Sequence, residues 1–142
     1  MPAGEVSDSV EVIDRTVSTT NVWLKTLAER LGLDRHRAYL ALRAVLHALR
    51  DRVGPEVAAH VSAQLPTLIR GVFYEGWDPT RTPARLSLEQ FLARIQTEAL
   101  LADRTQAEHA ATAVVGLLWD ELGQGTMDHL VDVLPSEYAL IF

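Results

Sequence analysis

Hydrophobic residues recur along most of the chain at spacings of three and four, the period of an amphipathic α-helix. Two such runs follow an aspartate, a residue that favours helix N-caps, at Asp34 and Asp103. Gln106 completes a capping-box pattern after Asp103, as Gln90 does after Ser87. The pattern predicts an all-α fold. The apolar positions of the two runs are Ala38, Leu42, Val45, Leu49 and Val53, then Ala107, Ala111, Val114, Leu118 and Leu122.

The first helix is predicted to be the longest. It carries a heptad seam formed by Val10, Ile13, Val17, Thr20, Leu24, Leu27 and Leu31. Asp8 and Glu11 form a capping-box pattern, so we predict a helix from Ser9 to Leu31, with residues 17–20 as its weakest stretch. The N-terminal part of the seam must cover an exposed face of the bundle or pair with another chain, which makes Val10 and Val17 candidate interface residues.

An internal repeat appears when the chain is shifted by 69 positions. Nine of the 30 positions aligned over residues 44–73 are identical, including glycines and prolines that fix backbone geometry. The identical pairs are Ala44/Ala113, Val45/Val114, Leu49/Leu118, Asp51/Asp120, Gly54/Gly123, His60/His129, Leu65/Leu134, Pro66/Pro135 and Phe73/Phe142. Gly54-Pro55 predicts the start of a third helix that runs to Gln64. The two repeated prolines predict short last helices that end at Phe73 and Phe142.

The repeat predicts the architecture: a tandem repeat of two similar four-helix units, packed as one helical bundle with a long N-terminal helix. Residues 1–73 would hold the N-terminal extension and the first unit, residues 74–86 the inter-repeat linker, and residues 87–142 the second unit. Together they would form a single compact domain. The linker contains Tyr74 and Trp77, which would either pin it across the body or form a stacking platform for a ligand.

Composition excludes several classes of protein. The chain has 142 residues and no cysteine, which excludes a disulfide scaffold, thiolate metal sites and cysteine nucleophiles. Hydrophobic residues make up 48% of it, so it can build a core. It contains no apolar run long enough to span a bilayer and no signal peptide, and we expect a soluble cytoplasmic protein with no membrane partner.

The net charge of −6 conceals an asymmetry. Residues 22–85 hold ten bases and six acids, whereas residues 86–142 hold two bases and nine acids. The acidic half would repel a polyanion, so we do not expect nucleic acid to be the main partner. Attraction between the two halves, within a chain or between chains, is the simpler interpretation.

Several segments of the first half resemble a known family. They are the run RAYLALRAVLHALRDR over residues 37–52, Ala58-Ala59-His60, Gln64-Leu65-Pro66, and RGVFYEGWDP over residues 70–79. Together they closely resemble the bacterial domain of unknown function family 2267, specifically over residues 10–85 and more weakly over 86–142. The resemblance implies an all-helical prokaryotic protein of about this length and no assigned activity.

Candidate chemistry is sparse. The five histidines lack metal-ligand spacing, and we predict no metal and no cofactor. The repeat mates His60 and His129 are expected to be partly buried and bonded to backbone carbonyls. A pocket near the linker would hold a small anion, with Asp51 and Asp120 as alternative partners of its arginines. Its candidate residues are Arg43, His47, Arg50, Arg70, Tyr74 and Trp77.

Gly116 and Trp119 form a second candidate interface. A mid-helix glycine costs about 1 kcal/mol relative to alanine, so we expect another backbone to approach it closely, from the first helix or from a second subunit. The corresponding strip of the first unit is basic and contains His36, Arg43, His47 and Arg50.

The sequence therefore favours a non-enzymatic helical interaction module that associates with itself or with a protein partner. The alternatives are a small-anion-binding or catalytic pocket near the linker, and a weak nucleic-acid binder that uses the basic strip.

Overall fold

The computed structural model describes residues 8–142, where the chain forms seven α-helices, two 3₁₀ turns and no β-strand. The all-α prediction is confirmed. The helices are α1 (Glu11–Leu31), α2 (Arg35–Arg52), α3 (Pro55–Ser62), α4 (Thr67–Tyr74), α5 (Leu88–Glu98), α6 (Arg104–Glu121) and α7 (Gln124–Val133). The 3₁₀ turns span Pro79–Arg81 and Ser136–Leu140.

Side-chain caps fix the starts of α2, α5 and α6. Asp34 and Asp103 each accept a hydrogen bond of 2.8 Å from the backbone N–H three residues further on. Ser87 and Gln90 form the complete capping box, with bonds of 3.1 Å and 2.9 Å. Gln106 instead accepts from the residue before Asp103, so the second half of that predicted box is absent.

The start of α1 differs from the prediction. The helix begins at Glu11, its N-cap is Val10, and no side chain caps it. Asp8 therefore lies outside the helix and its predicted capping role is wrong. Asp14, in the first turn, accepts a hydrogen bond from the Ser9 hydroxyl instead.

α1 continues without a break through residues 17–20, although their helix propensity is low, and the buried residues from Thr20 onwards anchor it to the core. Thr20 is buried, and its hydroxyl donates to the carbonyl of Thr16 at 2.8 Å. Trp23 and Leu27, on the same side of the helix, are also buried. The second half of α1 is therefore a core element.

Two short elements end earlier than predicted. α3 stops at Ser62, and the polypeptide turns before Gln64. The last element is a 3₁₀ turn, in which Tyr138 N–H donates to the carbonyl of Pro135 three residues back. Such short runs favour the tighter turn over an α-helix.

Four helices form a closed ring of contacts, in the order α1, α2, α5, α6 and back to α1, with α2 and α6 also touching across it. α4 packs on α1 and α2, and α3 touches α7. In α2 every residue from Ala44 to Arg50 is buried, so this part of the helix is enclosed on all sides. None of the helices in residues 8–142 combines the length and apolar character that crossing a bilayer requires.

Candidate functional site

The residues predicted to hold a small anion lie on or next to α4, the short helix that packs against α2. His47 is 5% exposed, and its Nε2–H donates to the carbonyl of Val72 at 2.7 Å. Burial lowers the pKa of His47 below its ordinary value, although the hydrogen bond to Val72 opposes this shift. The hydrogen bond from His47 therefore fixes α4 to α2.

Arg50 is the most buried cation of the described chain, at 3% exposed. Its Nε and Nη2 bind the two carboxylate oxygens of Asp51 at 2.8 Å and 3.0 Å. Its Nη1 donates to the carbonyls of Phe73 and Glu75 at 2.9 Å and 2.7 Å. Arg50 therefore neutralises the negative end of the α4 dipole from inside the fold.

Asp51 joins the two halves of the chain, because Arg94 of α5 binds its second oxygen at 2.7 Å. Burial raises the pKa of Asp51, but the hydrogen bonds from Arg50 and Arg94 outweigh burial and hold it below its ordinary value. The backbone carbonyl of Asp51 accepts a hydrogen bond from the linker residue Ala84 at 2.6 Å. This network fixes α2, α5 and the linker together.

The other four predicted residues also contact protein groups. Arg43 forms an ion pair of 3.1 Å with a glutamate at the end of α4, and Arg70 donates to carbonyls at the end of α3. The Tyr74 hydroxyl lies 2.6 Å from that of Ser62, and the Trp77 ring packs on the Tyr74 ring with centroids 4.9 Å apart. These contacts hold α3, α4 and the linker in place and do not favour the small-anion hypothesis, which stays a prediction.

Burial also changes the interpretation of the basic strip. Arg43 and His36 reach solvent, but α4 covers His47 and Arg50, which are 5% and 3% exposed. The four residues therefore do not form a continuous basic surface for nucleic acid. Helical spacing places the four residues on one face of α2, but it does not show that α4 packs over the middle of that face.

Arg30 of α1 reaches the side of α6 that carries Gly116. A Cβ at Gly116 would meet only the Nη1 atom of Arg30, at 3.7 Å, so no other backbone of the described chain approaches it closely, and an approach by a second subunit stays a prediction. Arg30 reaches across to Asp120, which it binds at 3.0 Å. Trp119 is half-buried against the core.

The N-terminal half of α1 carries an exposed apolar stripe, formed by Val10, Ile13 and Val17. These residues are 59%, 53% and 43% exposed. They lie on the heptad seam that continues into the bundle, where Leu27 is fully buried. The apolar face of α1 therefore continues beyond the part of the helix that packs in the core of the bundle.

An open cleft of about 810 Å³ lies where the end of α1 and the start of α2 meet α6 and the C-terminal turn. It contains leucines beside cationic and imidazole side chains, and no spacing in the sequence indicates it because four separate segments form it. Its principal residues are Arg30, Leu31, Leu33, Arg37, Leu101 and His109. We call it the α1/α6 cleft.

His60 and His129 meet at the contact between α3 and α7. Their rings lie 6.3 Å apart in an edge-to-face arrangement, and both residues are exposed. The prediction of two partly buried histidines bonded to carbonyls is therefore wrong, because each helix turns this position towards the other helix and solvent. Within residues 8–142, no group of three or more histidine and acidic side chains is arranged to hold a metal.

Residues 20–141 match the family model described as "Uncharacterized conserved protein (DUF2267)". The chain belongs to this family. The DUF2267 match covers both halves, including residues 86–141, where the resemblance is weaker. The apolar stripe lies upstream of the DUF2267 match. A comparison with the curated proteins finds no significant match.

Proposed function

We propose that this chain is a non-enzymatic helical interaction module that self-associates through the apolar stripe on α1. The observation that carries the proposal is the exposure of Val10, Ile13 and Val17 on a seam whose continuation forms the core. Contiguous exposed apolar positions on a helix are typical of a contact surface. The buried polar side chains of α2 support the non-enzymatic part of the proposal, because His47 and Arg50 bind backbone carbonyls of α4.

The stripe has a limited binding energy. Fully burying an aliphatic side chain contributes about 1.5–3 kcal/mol, and these residues are about half exposed, so covering each contributes about 1 kcal/mol. Three such contributions do not offset the loss of translational and rotational freedom on association. A stable complex therefore needs a matching surface on the partner.

Substitution of Val17 by aspartate tests the proposal. The helix rotates by about 100° per residue, so Val22 lies about 140° around the axis from Val17 and is a matched control at 61% exposure. Val17→Asp should abolish self-association in sedimentation velocity, whereas Val22→Asp should leave it unchanged. Equal behaviour of both variants would refute the role of the stripe.

We also infer that the fold arose from a duplicated helical unit. α2 and α6 each contain 18 residues and begin 69 positions apart. The ends of α1 and α5 support the same inference. Gly32 and Leu100 both adopt positive φ, and in each case the next residue donates to a carbonyl five positions back, at 3.0 Å and 2.9 Å. An experimental structure in which residues 35–73 superpose on 104–142 would support duplication, and unrelated backbone paths would exclude it.

A further inference from the structure

The acidic character of the apolar stripe restricts which surfaces can cover it. Asp8, Glu11 and Asp14 flank the stripe, and the one basic residue among them, Arg15, is bound to Glu11 at 2.6 Å. If two stripes paired directly, two segments that each carry three acidic residues and one basic residue would face each other. Like charges in direct opposition are unfavourable, so the stripe favours a partner surface that is basic as well as apolar.

The α1/α6 cleft has this combination. Arg30, Arg37 and His109 line it, and Glu108 is the one acidic lining residue within residues 8–142. Arg30 is bound to Asp120, whereas Arg37 forms no ion pair among the described residues. The cleft therefore presents a cationic group that a carboxylate of an incoming helix can bind.

The apolar residues of the cleft match the stripe in kind. Leu31, Leu33 and Leu101 line it together with Leu140, which is 60% exposed. Residues 11–17 of α1 form about two helical turns, about 10 Å long, and Val10 is their N-cap. The open cleft has a volume of about 810 Å³ and therefore has room for side chains from one face of this segment.

We propose that the stripe of one copy docks into the α1/α6 cleft of a second copy. This inference rests on the proposed function and adds the site that receives the stripe. Stripe and cleft lie on different surfaces of one chain, so the contact is heterologous. Repeated in one direction, it produces a ring or an open chain of copies, whereas two copies that each dock into the other form a two-fold dimer.

Complementation between two variants tests the docking site. Val17→Asp damages the stripe and leaves the cleft intact, whereas Leu140→Asp places a carboxylate at the cleft and leaves the stripe intact. Each variant alone should be monomeric in sedimentation velocity. An equimolar mixture should form a 1:1 complex with twice the mass of the chain, because one intact stripe meets one intact cleft. Circular dichroism confirms that each variant is folded.

A second cleft variant avoids dependence on Leu140. Arg37→Glu reverses the charge on an exposed side chain and should weaken self-association by about tenfold or more, with rescue in the same mixture. The control Val22→Asp should assemble like the unmodified chain. Added salt should weaken assembly, because the contact pairs opposite charges.

The outcomes separate this inference from the proposed function. A complex in the mixture, with both parents monomeric, supports the stripe-to-cleft contact. Normal assembly of Leu140→Asp and Arg37→Glu, together with a monomeric Val17→Asp, overturns the cleft and keeps the stripe. A monomeric unmodified chain at millimolar concentration overturns both.

Discussion

Replacing Gly116 by alanine should stabilise the protein. Gly116 lies inside α6, where glycine costs about 1 kcal/mol relative to alanine. The added Cβ would meet only the Arg30 side chain at 3.7 Å, an ordinary van der Waals contact, so no clash opposes the gain. For 142 residues the unfolding entropy near the midpoint is about 0.3 kcal/mol per kelvin, and a gain of about 1 kcal/mol raises Tm by about 3 °C.

Urea unfolding followed by circular dichroism gives this change directly, and the denaturant dependence should stay the same. Gly32→Ala is the matched control. Gly32 ends α1 with a φ of 65°, and a Cβ there would meet no atom within 4 Å, so alanine should cost about 1 kcal/mol from backbone strain alone. A destabilised Gly116→Ala would refute the reasoning, and would restore the need for a close backbone contact at this position.

Three further changes test the contacts of α4 and the joint between the two halves. His47→Gln should flatten the pH dependence of the free energy of unfolding. Because burial lowers the pKa of native His47, its contribution to stability is full above about pH 6.5 and is lost as the pH falls towards the native pKa. A difference in stability between variant and unmodified chain that stays constant between about pH 8 and 5 would contradict this. Asp51→Asn should lower the free energy of unfolding in urea by about 3 kcal/mol, because it leaves the buried Arg50 without its carboxylate. A loss below about 1 kcal/mol would show that the carbonyls of Phe73 and Glu75 are sufficient partners for Arg50. Gln64→Ala should lower the free energy of unfolding by about 1 kcal/mol in the same assay, because the Gln64 amide oxygen accepts the N–H of Gly123 at 2.7 Å. An unchanged unfolding midpoint would exclude this contribution.

Helical periodicity and capping chemistry predicted most of the fold. α2 and α6 follow from apolar spacing, and Asp34, Asp103 and Ser87 mark helix starts because their side chains act within one turn of the backbone. The prediction from Asp8 was wrong because the helix begins beyond its reach. Local signals of this kind are strong when the cap lies next to a helix that tertiary contacts also stabilise.

The candidate site depended on contacts that no local pattern encodes. Arg50 and His47 resemble a basic surface in the sequence, yet α4 folds back over them and supplies backbone carbonyls as acceptors. Gln64 lies in the predicted third helix, but in the structure it follows α3 and its amide oxygen accepts the backbone N–H of Gly123, just before α7. Four separate segments of the chain form the α1/α6 cleft, so the spacing of residues in the sequence could not predict which of them line it.

The heptad seam gave the most direct functional signal. It predicted that the N-terminal part of the first helix covers an exposed face of the bundle or pairs with another chain, and Val10 and Val17 are exposed in the structure. Periodicity can identify an apolar face without showing what covers it. The partner surface had to come from the charge and shape of the folded chain.

The most direct test of self-association through the stripe is sedimentation velocity of the unmodified chain and Val17→Asp, from micromolar to millimolar concentration. The account predicts that the sedimentation coefficient of the unmodified chain rises with concentration and that of Val17→Asp stays at the monomer value. A constant monomer value for the unmodified chain, or an equal rise for both proteins, would contradict it.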